Sequence, residues 1–338
     1  MADVFTPICV LAMVALIVGW RAFAPLERLV LIGIALLALS SHVTHLVLGA
    51  ALAVLFGVRH LLGRSYPRAA LLAVLPLPFV ALAAVIGMNL AASGRILVTL
   101  DGPVYLLARA FADGPAYETM RSDCEERRWQ LCKALERLPR DSERFMWSAD
   151  NSAWTAVDTP QQLRAEASQI VAATVRGRPM EMLGNAARNT LTQLVTFRAA
   201  IDFNRWPEDS ASLTTPGVIR RFFPHEFDRL MHSRQQQGRL DVEWLNVLYT
   251  SVVWLSLAGL LVLLLKVRPA PPVADLLLAV AVALLANAAA TGALSVVMDR
   301  FQARLIWLMP LCFAVLLLRK QQPDARRIPR SMDRDGRL

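Results

Sequence analysis

Two short stretches hold the residues whose types could do chemistry. "LSSHVTHL", Leu39–Leu46, places His42 and His45 three positions apart. On a helix that spacing puts both imidazoles on one side, where they could relay a proton or share a ligand. Two histidines without a nearby carboxylate fall short of a metal set, so no metal site is assigned. Polar residues at an interfacial tip account for the same pattern. "SVVMDRFQARLIWLMP", Ser295–Pro310, carries Asp299, Arg300 and Arg304 between apolar runs. The two arginines are four apart and can project to one side. Guanidinium forks bind phosphate oxygens bidentately. Asp299 would then hold an arginine in place or bind a cation, although nothing else in the stretch indicates a divalent ion. Arginines that snorkel toward headgroups explain the charges equally well.

Other polar residues read more plainly. Asp101 is placed to cap a helix that begins near Val104 and contains Arg109. Asn287, deep in "LLANAAATGALS", sits among small residues suited to close helix packing. Cys9 and Cys312 lie in apolar runs and read as packing residues, whereas Cys124 and Cys132 share a polar block. In an oxidising compartment that pair is a disulfide candidate. However, "CEERRWQLC" reads as helix, and straight helix would separate its ends by about 12 Å, beyond the roughly 7 Å that a disulfide spans. Either the helix breaks between them or the bridge does not form. There is no phosphate loop, GxGxxG, GxSxG, HExxH or CxxC in the chain.

The elements that must position these residues are largely apolar. Of 338 residues 55% are hydrophobic, and they cluster. Ala69–Ala92, Leu245–Leu265 and Val273–Val297 approach or exceed the roughly 20 residues that cross a bilayer as helix. Val4–Trp20 and Leu305–Leu318 are shorter apolar runs. Leu29–Val58 has basic residues on both flanks and reads as a hairpin of two short helices with the Ser/His segment at its tip; one long tilted helix is the alternative. The net charge of +9 is unevenly placed. Asp101–Asp241 is neutral, with 19 basic and 19 acidic residues, so the excess lies in short loops and the tail from Arg319. That is a positive-inside pattern and argues against a nucleic-acid partner.

The expectation is an all-α protein: a polytopic transmembrane helix bundle with a mainly helical periplasmic domain inserted between spans. Residues 1–92 form the N-terminal membrane helices, including the hairpin 29–58. Residues 93–242 form the periplasmic domain, 243–318 the C-terminal membrane helices, and 319–338 a basic cytoplasmic tail. Within the polar block, the patterns predict helices over Val104–Ala112, Ala116–Leu138, Gln161–Arg176, Pro179–Phe203 and Pro224–Gln237, with a start signal at Asp158–Thr159–Pro160.

Five segments carry a resemblance: "MADVFTPICVLAMVALI", "APLERLVLIGIALLALSSHVTHL", "PRDSERFMWSADNSAW", "ARNTLTQLVTFR" and "NAAATGALSVVMDRFQARLIWLMP". With them the chain resembles an uncharacterised family of proteobacterial multi-pass proteins, whose long members are similar to the C-type glycosyltransferases. Asp299, Arg300, Phe301, Arg304 and Pro310 loosely match the charged-aromatic-arginine-then-proline segment of those enzymes. The resemblance implies an inner-membrane protein of envelope biogenesis that handles a polyprenyl-phosphate-linked sugar at the periplasmic face. Arg300 and Arg304 would then meet the donor phosphate, and His42 and His45 would contact the acceptor or move a proton. Those enzymes carry a catalytic acid in the first outer loop. Here only Asp3 precedes the first apolar run, so the chain resembles the later part of a longer member. The contrasting expectation is a non-catalytic membrane scaffold whose outer domain binds a periplasmic protein. A transporter ranks last, since Asn287 is the one deep polar residue that the apolar runs suggest.

Overall fold

The structure is a computed structural model that describes residues 2–148, 151–199, 201, 203, 205–206 and 215–321. Among the described residues every regular element is helical. The membrane part is built from α1 (Phe5–Gly19), α2 (Pro25–Ser40), α3 (Val43–Leu61), α4 (Arg68–Val74), α5 (Leu77–Ser93), α13 (Glu243–Lys266), α14 (Pro271–Ala288), α15 (Asp299–Ile306) and α16 (Leu308–Gln321). Five helical segments are long and apolar enough to span a membrane: Val43–Leu61, Arg68–Ser93, Glu243–Lys266, Pro271–Ala293 and Asp299–Arg319. Their outward faces are apolar too. Leu255 and Leu265 of α13 are exposed, as expected where lipid rather than water is the surrounding medium.

Proline and small residues set the breaks. Pro76 separates α4 from α5, and Pro310, which has no N–H to give to the preceding turn, follows the break at Trp307 between α15 and α16. The chain from Leu29 to Val58 is two helices, parted at Ser41–His42, rather than one. Val273–Val297, expected to be helical throughout, ends earlier: α14 widens into a π-turn at Ala289–Ala293 before an irregular stretch. Such a turn leaves a carbonyl without its usual partner and is common at functional sites.

α3 and α14 run antiparallel and are clamped near both ends. At one end Asp275, with no exposed surface, accepts from Arg59 Nε (3.0 Å), Arg64 Nε (3.0 Å) and the Tyr66 hydroxyl (2.8 Å). An unpaired carboxylate there would be costly, whereas three donors satisfy both oxygens. Asn287 is therefore not the one deep polar residue of the apolar runs. The acid in "PPVADLLLAV" is as deeply buried, and the arginines that neutralise it come from the last turn of α3 and the loop after it.

The polar block forms a second core from α6 (Gly102–Ala112), α7 (Pro115–Arg127), a 3-10 turn at Gln130–Ala134, α8 (Ser142–Trp147) and α9 (Pro160–Gly177). Phe111, Met120, Leu131, Phe145 and Ile170 are fully buried in it. Thr159 caps α9, its hydroxyl accepting from Gln162 N at 3.2 Å. The helix expected over Ala116–Leu138 stops at Arg127. Arg128 turns left-handed at φ 54°, and the chain doubles back far enough to bring Cys124 and Cys132 to a Cα separation of 5.8 Å, bridged by a disulfide. Closing so short a loop stabilises by about 2–3 kcal/mol in the chain-entropy account. Buried Glu166 holds the returning turn by accepting from Gln130 N (2.8 Å) and Leu131 N (3.0 Å).

α10 (Pro179–Val195) ties this core to the membrane helices, ending eight residues short of the Phe203 expected from the pattern. α11 (Thr215–Phe222) and α12 (Pro224–Met231) follow, the latter also shorter than the pattern to Gln237. The basic tail beyond Gln321 lies outside the described residues.

Candidate functional site

The polar core meets the membrane helices over a cavity of about 440 Å³. Three walls enclose it. The start of α3 contributes His42, Val43, Thr44 and Val47. The polar core brings Tyr105 and Leu106 from α6, and Glu143, Met146 and Trp147 from α8. The turn after α14 brings Thr291, Leu294, Val296 and Met298, and α15 adds Arg300 and Phe301. The lining is mainly apolar, with a polar rim. Its volume is within the range of ordinary small-molecule sites.

α10 positions the third wall. Gln193, fully buried, exchanges two hydrogen bonds with Met298: its Nε2 donates to the carbonyl at 2.9 Å, and its Oε1 accepts from the amide at 2.8 Å. Where α10 crosses the π-turn, a Cβ on Gly292 would stand 2.7 Å from the Asn189 carbonyl oxygen. Only glycine permits that approach. Asn189 in turn donates to Asp113 Oδ2 at 2.7 Å, and Asp113 also receives a two-pronged pair from Arg109. One helix thus ties the polar core to Met298, at the entry to α15 and its Arg300.

The late charges are pulled apart. Arg300 is exposed at the rim, its guanidinium 5.2 Å from the Phe301 ring, and no acid pairs with it among the described residues. Arg304 points inward, with 4% of its side chain exposed. It donates to Asp3 Oδ1 (2.7 Å), Asn287 Oδ1 (2.9 Å) and Thr44 Oγ1 (3.2 Å). Asn287 completes the network, donating to Gln302 Oε1 at 2.8 Å and the Phe301 carbonyl at 2.7 Å. The two guanidiniums therefore do not form one phosphate fork. Asp299 holds neither of them; its Oδ1 accepts from the amide of Arg198 at 2.7 Å.

The histidines also part. His45 is buried, hydrogen-bonded through Nε2 to Thr6 Oγ1 (2.7 Å) and through Nδ1 to the Ala38 carbonyl (2.8 Å). That pins α1 to the α2–α3 break, away from the cavity lining. His42 caps α3, with Nδ1 2.8 Å from Thr44 Oγ1, and faces the cavity. Burial, then the positive charge of Arg304, hold its pKa below the ordinary 6.5, with Asp3 opposing. Its neutral form can accept a hydrogen bond from the Thr44 hydroxyl. Tyr105 is shifted upward, chiefly by burial and next by Asp101, with Arg300 opposing. It remains a donor at neutral pH.

Asp101 does not cap α6 with its side chain. Its Oδ1 instead accepts from Arg164 Nε at 2.6 Å, tying α6 to α9. Sequence reasoning missed Tyr105, Glu143 and Trp147, which reach the cavity only because the polar core folds over it. It also missed the partner of Arg304, since 301 positions separate it from Asp3. Among the described residues, no group of three or more His, Cys, Asp or Glu side chains is arranged to hold a metal. Comparisons with protein-family models, curated proteins and solved structures find no match to this chain.

Proposed function

We propose that the chain is an inner-membrane protein of cell-envelope biogenesis that holds a polyprenyl-phosphate-linked sugar at the periplasmic face, in the cavity between the polar core and the membrane helices. One observation carries this reading: Arg300, free of any acid among the described residues, stands at the rim of an apolar cavity where the two parts of the molecule meet. The isoprenoid would lie along Val43, Val47, Leu294 and Val296, the phosphate would meet Arg300, and Tyr105 and neutral His42 would offer hydrogen bonds from the rim. Arg304 supports the site by holding α3, α14 and α15 together rather than by touching the ligand.

A charge-assisted hydrogen bond contributes about 1.5–3 kcal/mol, or roughly tenfold to a hundredfold in affinity. Calorimetric titration of the protein in nanodiscs should therefore show farnesyl phosphate binding at least about tenfold more tightly than farnesol, with Arg300→Met erasing the difference. Equal affinity of the native protein for both would overturn the reading. The scaffold reading draws on a different observation, the commitment of Arg304 to Asp3, which leaves one guanidinium where two would grip a phosphate. It gains if Arg300→Met leaves envelope glycans unchanged while a periplasmic protein cross-links to α7 or α9.

A further inference from the structure

Between α10 and α13 the chain leaves one place and returns to it. Arg198 Nη2 donates to both carboxylate oxygens of Glu243, at 2.7 and 2.6 Å, and the Ala199 amide donates to Asn246 Oδ1 at 3.0 Å. Further out, buried Gln236 closes a neck against Trp206, accepting from its amide at 3.2 Å and donating to its carbonyl at 2.7 Å. Beyond the neck, α11 and α12 pack chiefly on each other. Arg220 sits over the Phe227 ring at 4.3 Å, linking the pair.

The pair is amphipathic, and its apolar side is only partly used. Val218 and Phe222 are four apart on one side of α11, and Phe222 and Phe223 are 62% and 58% exposed. Arg221 flanks Phe222, its guanidinium 5.2 Å from that ring, whereas Arg220, two positions away, lies across α11 over Phe227. On α12, Phe227, Leu230 and Met231 share a face, whereas His225 lies on the opposite one. We propose that this helical pair lies on the bilayer surface, with Phe222 and Phe223 below the headgroups and Arg221 at the phosphates of anionic lipids. Continuity with the membrane part selects this occupant. The base of the segment is fixed to the first turn of the α13 span, where exposed Trp244 takes the interfacial position such residues favour. Aromatic residues beside arginines on a short amphipathic helix are the composition that binds in the headgroup region. The inference stands apart from the ligand reading, because none of these residues lines the cavity.

The test uses the full chain in nanodiscs of phosphatidylcholine, alone or mixed with phosphatidylglycerol. Spin labels go on Phe222→Cys and, as a water-facing reference, His225→Cys; both native free cysteines are buried. The label at 222 should be more accessible to oxygen than to a water-soluble nickel chelate, the label at 225 the reverse, and the contrast should grow with the anionic lipid. Equal nickel access at the two positions overturns the proposal, as does a label at 222 shielded from both reagents, which would mark a docked protein or second copy. A contrast unaffected by phosphatidylglycerol overturns the arginine contact. A Phe222→Ser, Phe223→Ser double variant, changed only at exposed positions, should speed amide exchange over 215–231 by about tenfold while α13 stays protected. Unchanged exchange would also overturn it.

Discussion

Arg300 and Arg304 carry the same group four positions apart, yet the fold uses them oppositely. Arg304 is buried with three oxygen partners, so Arg304→Met leaves buried Asn287 and partly exposed Asp3 without their donor and should cost about 1–3 kcal/mol. Arg300→Met, at an exposed rim, should stay within about 0.5 kcal/mol of the native protein. Thermal unfolding in detergent checks both, and equal losses would dismiss the distinction. His42 gives a second prediction. Its folded pKa lies below the ordinary 6.5, so the unfolded chain takes up the proton first as pH falls. Its contribution to stability is whole above pH 6.5 and declines as pH drops toward the folded value. His42→Asn, which keeps an acceptor at the cap, should flatten unfolding temperature against pH in that window; an unaltered slope would show that His42 is not responsible. Spacing made the two arginines legible as a pair but not their separate fates. The i,i+4 rule places Cβ atoms, whereas burial of Arg304 depends on Asp3 and Asn287 arriving from elsewhere.

At the scale of elements, apolar periodicity located most of the helices, because a bilayer or a core selects the same residues wherever it is, but it passed over the short α8, α11 and α15. Ends were less legible. Pro76 and Pro310 accompany breaks inside runs, Ala69–Ala92 and Leu305–Leu318, that the apolar pattern reads as continuous. The left-handed Arg128 is not announced in the sequence, since no glycine marks it, and the disulfide beside it needs that turn. The π-turn at Ala289–Ala293 is likewise silent in composition; what distinguishes it is α10 pressed against Gly292. Gly292→Ala would push a methyl toward a backbone carbonyl that cannot swing aside. Overpacking of this kind costs about 1–3 kcal/mol, and the strain falls on the Gln193–Met298 pair at the start of α15, which carries Arg300. Faster amide exchange at Met298, with the α6–α9 core unaffected, is the expected result. Unchanged exchange at Met298 would mean that α10 accommodates the methyl and does not govern the start of α15.

For the whole molecule, the two polar clusters on α3 and α14 define opposite ends. Asp275 gathers Arg59 and Arg64 at one, while Arg304 gathers Thr44 and Asn287 at the other, beside the cavity and the disulfide-bonded core. The antiparallel pairing requires the loops after α3 and before α14 to share a side. Both carry basic residues, among them exposed Arg268, which would face the cytoplasm if the chain follows the positive-inside rule. The Cys124–Cys132 bridge suits the opposite, oxidising compartment. Arg268→Cys and Trp147→Cys, one at each end and both exposed, should therefore react with a membrane-impermeant maleimide from opposite faces, Trp147→Cys in intact spheroplasts and Arg268→Cys only after lysis. Labelling of both from one face would mean that α3 and α14 do not cross the bilayer as an antiparallel pair. Reversed labelling would keep the pair but place the cavity, and any phosphate bound there, in the cytoplasm. The proposed ligand would then be on the wrong side, so orientation decides the function as well as the fold.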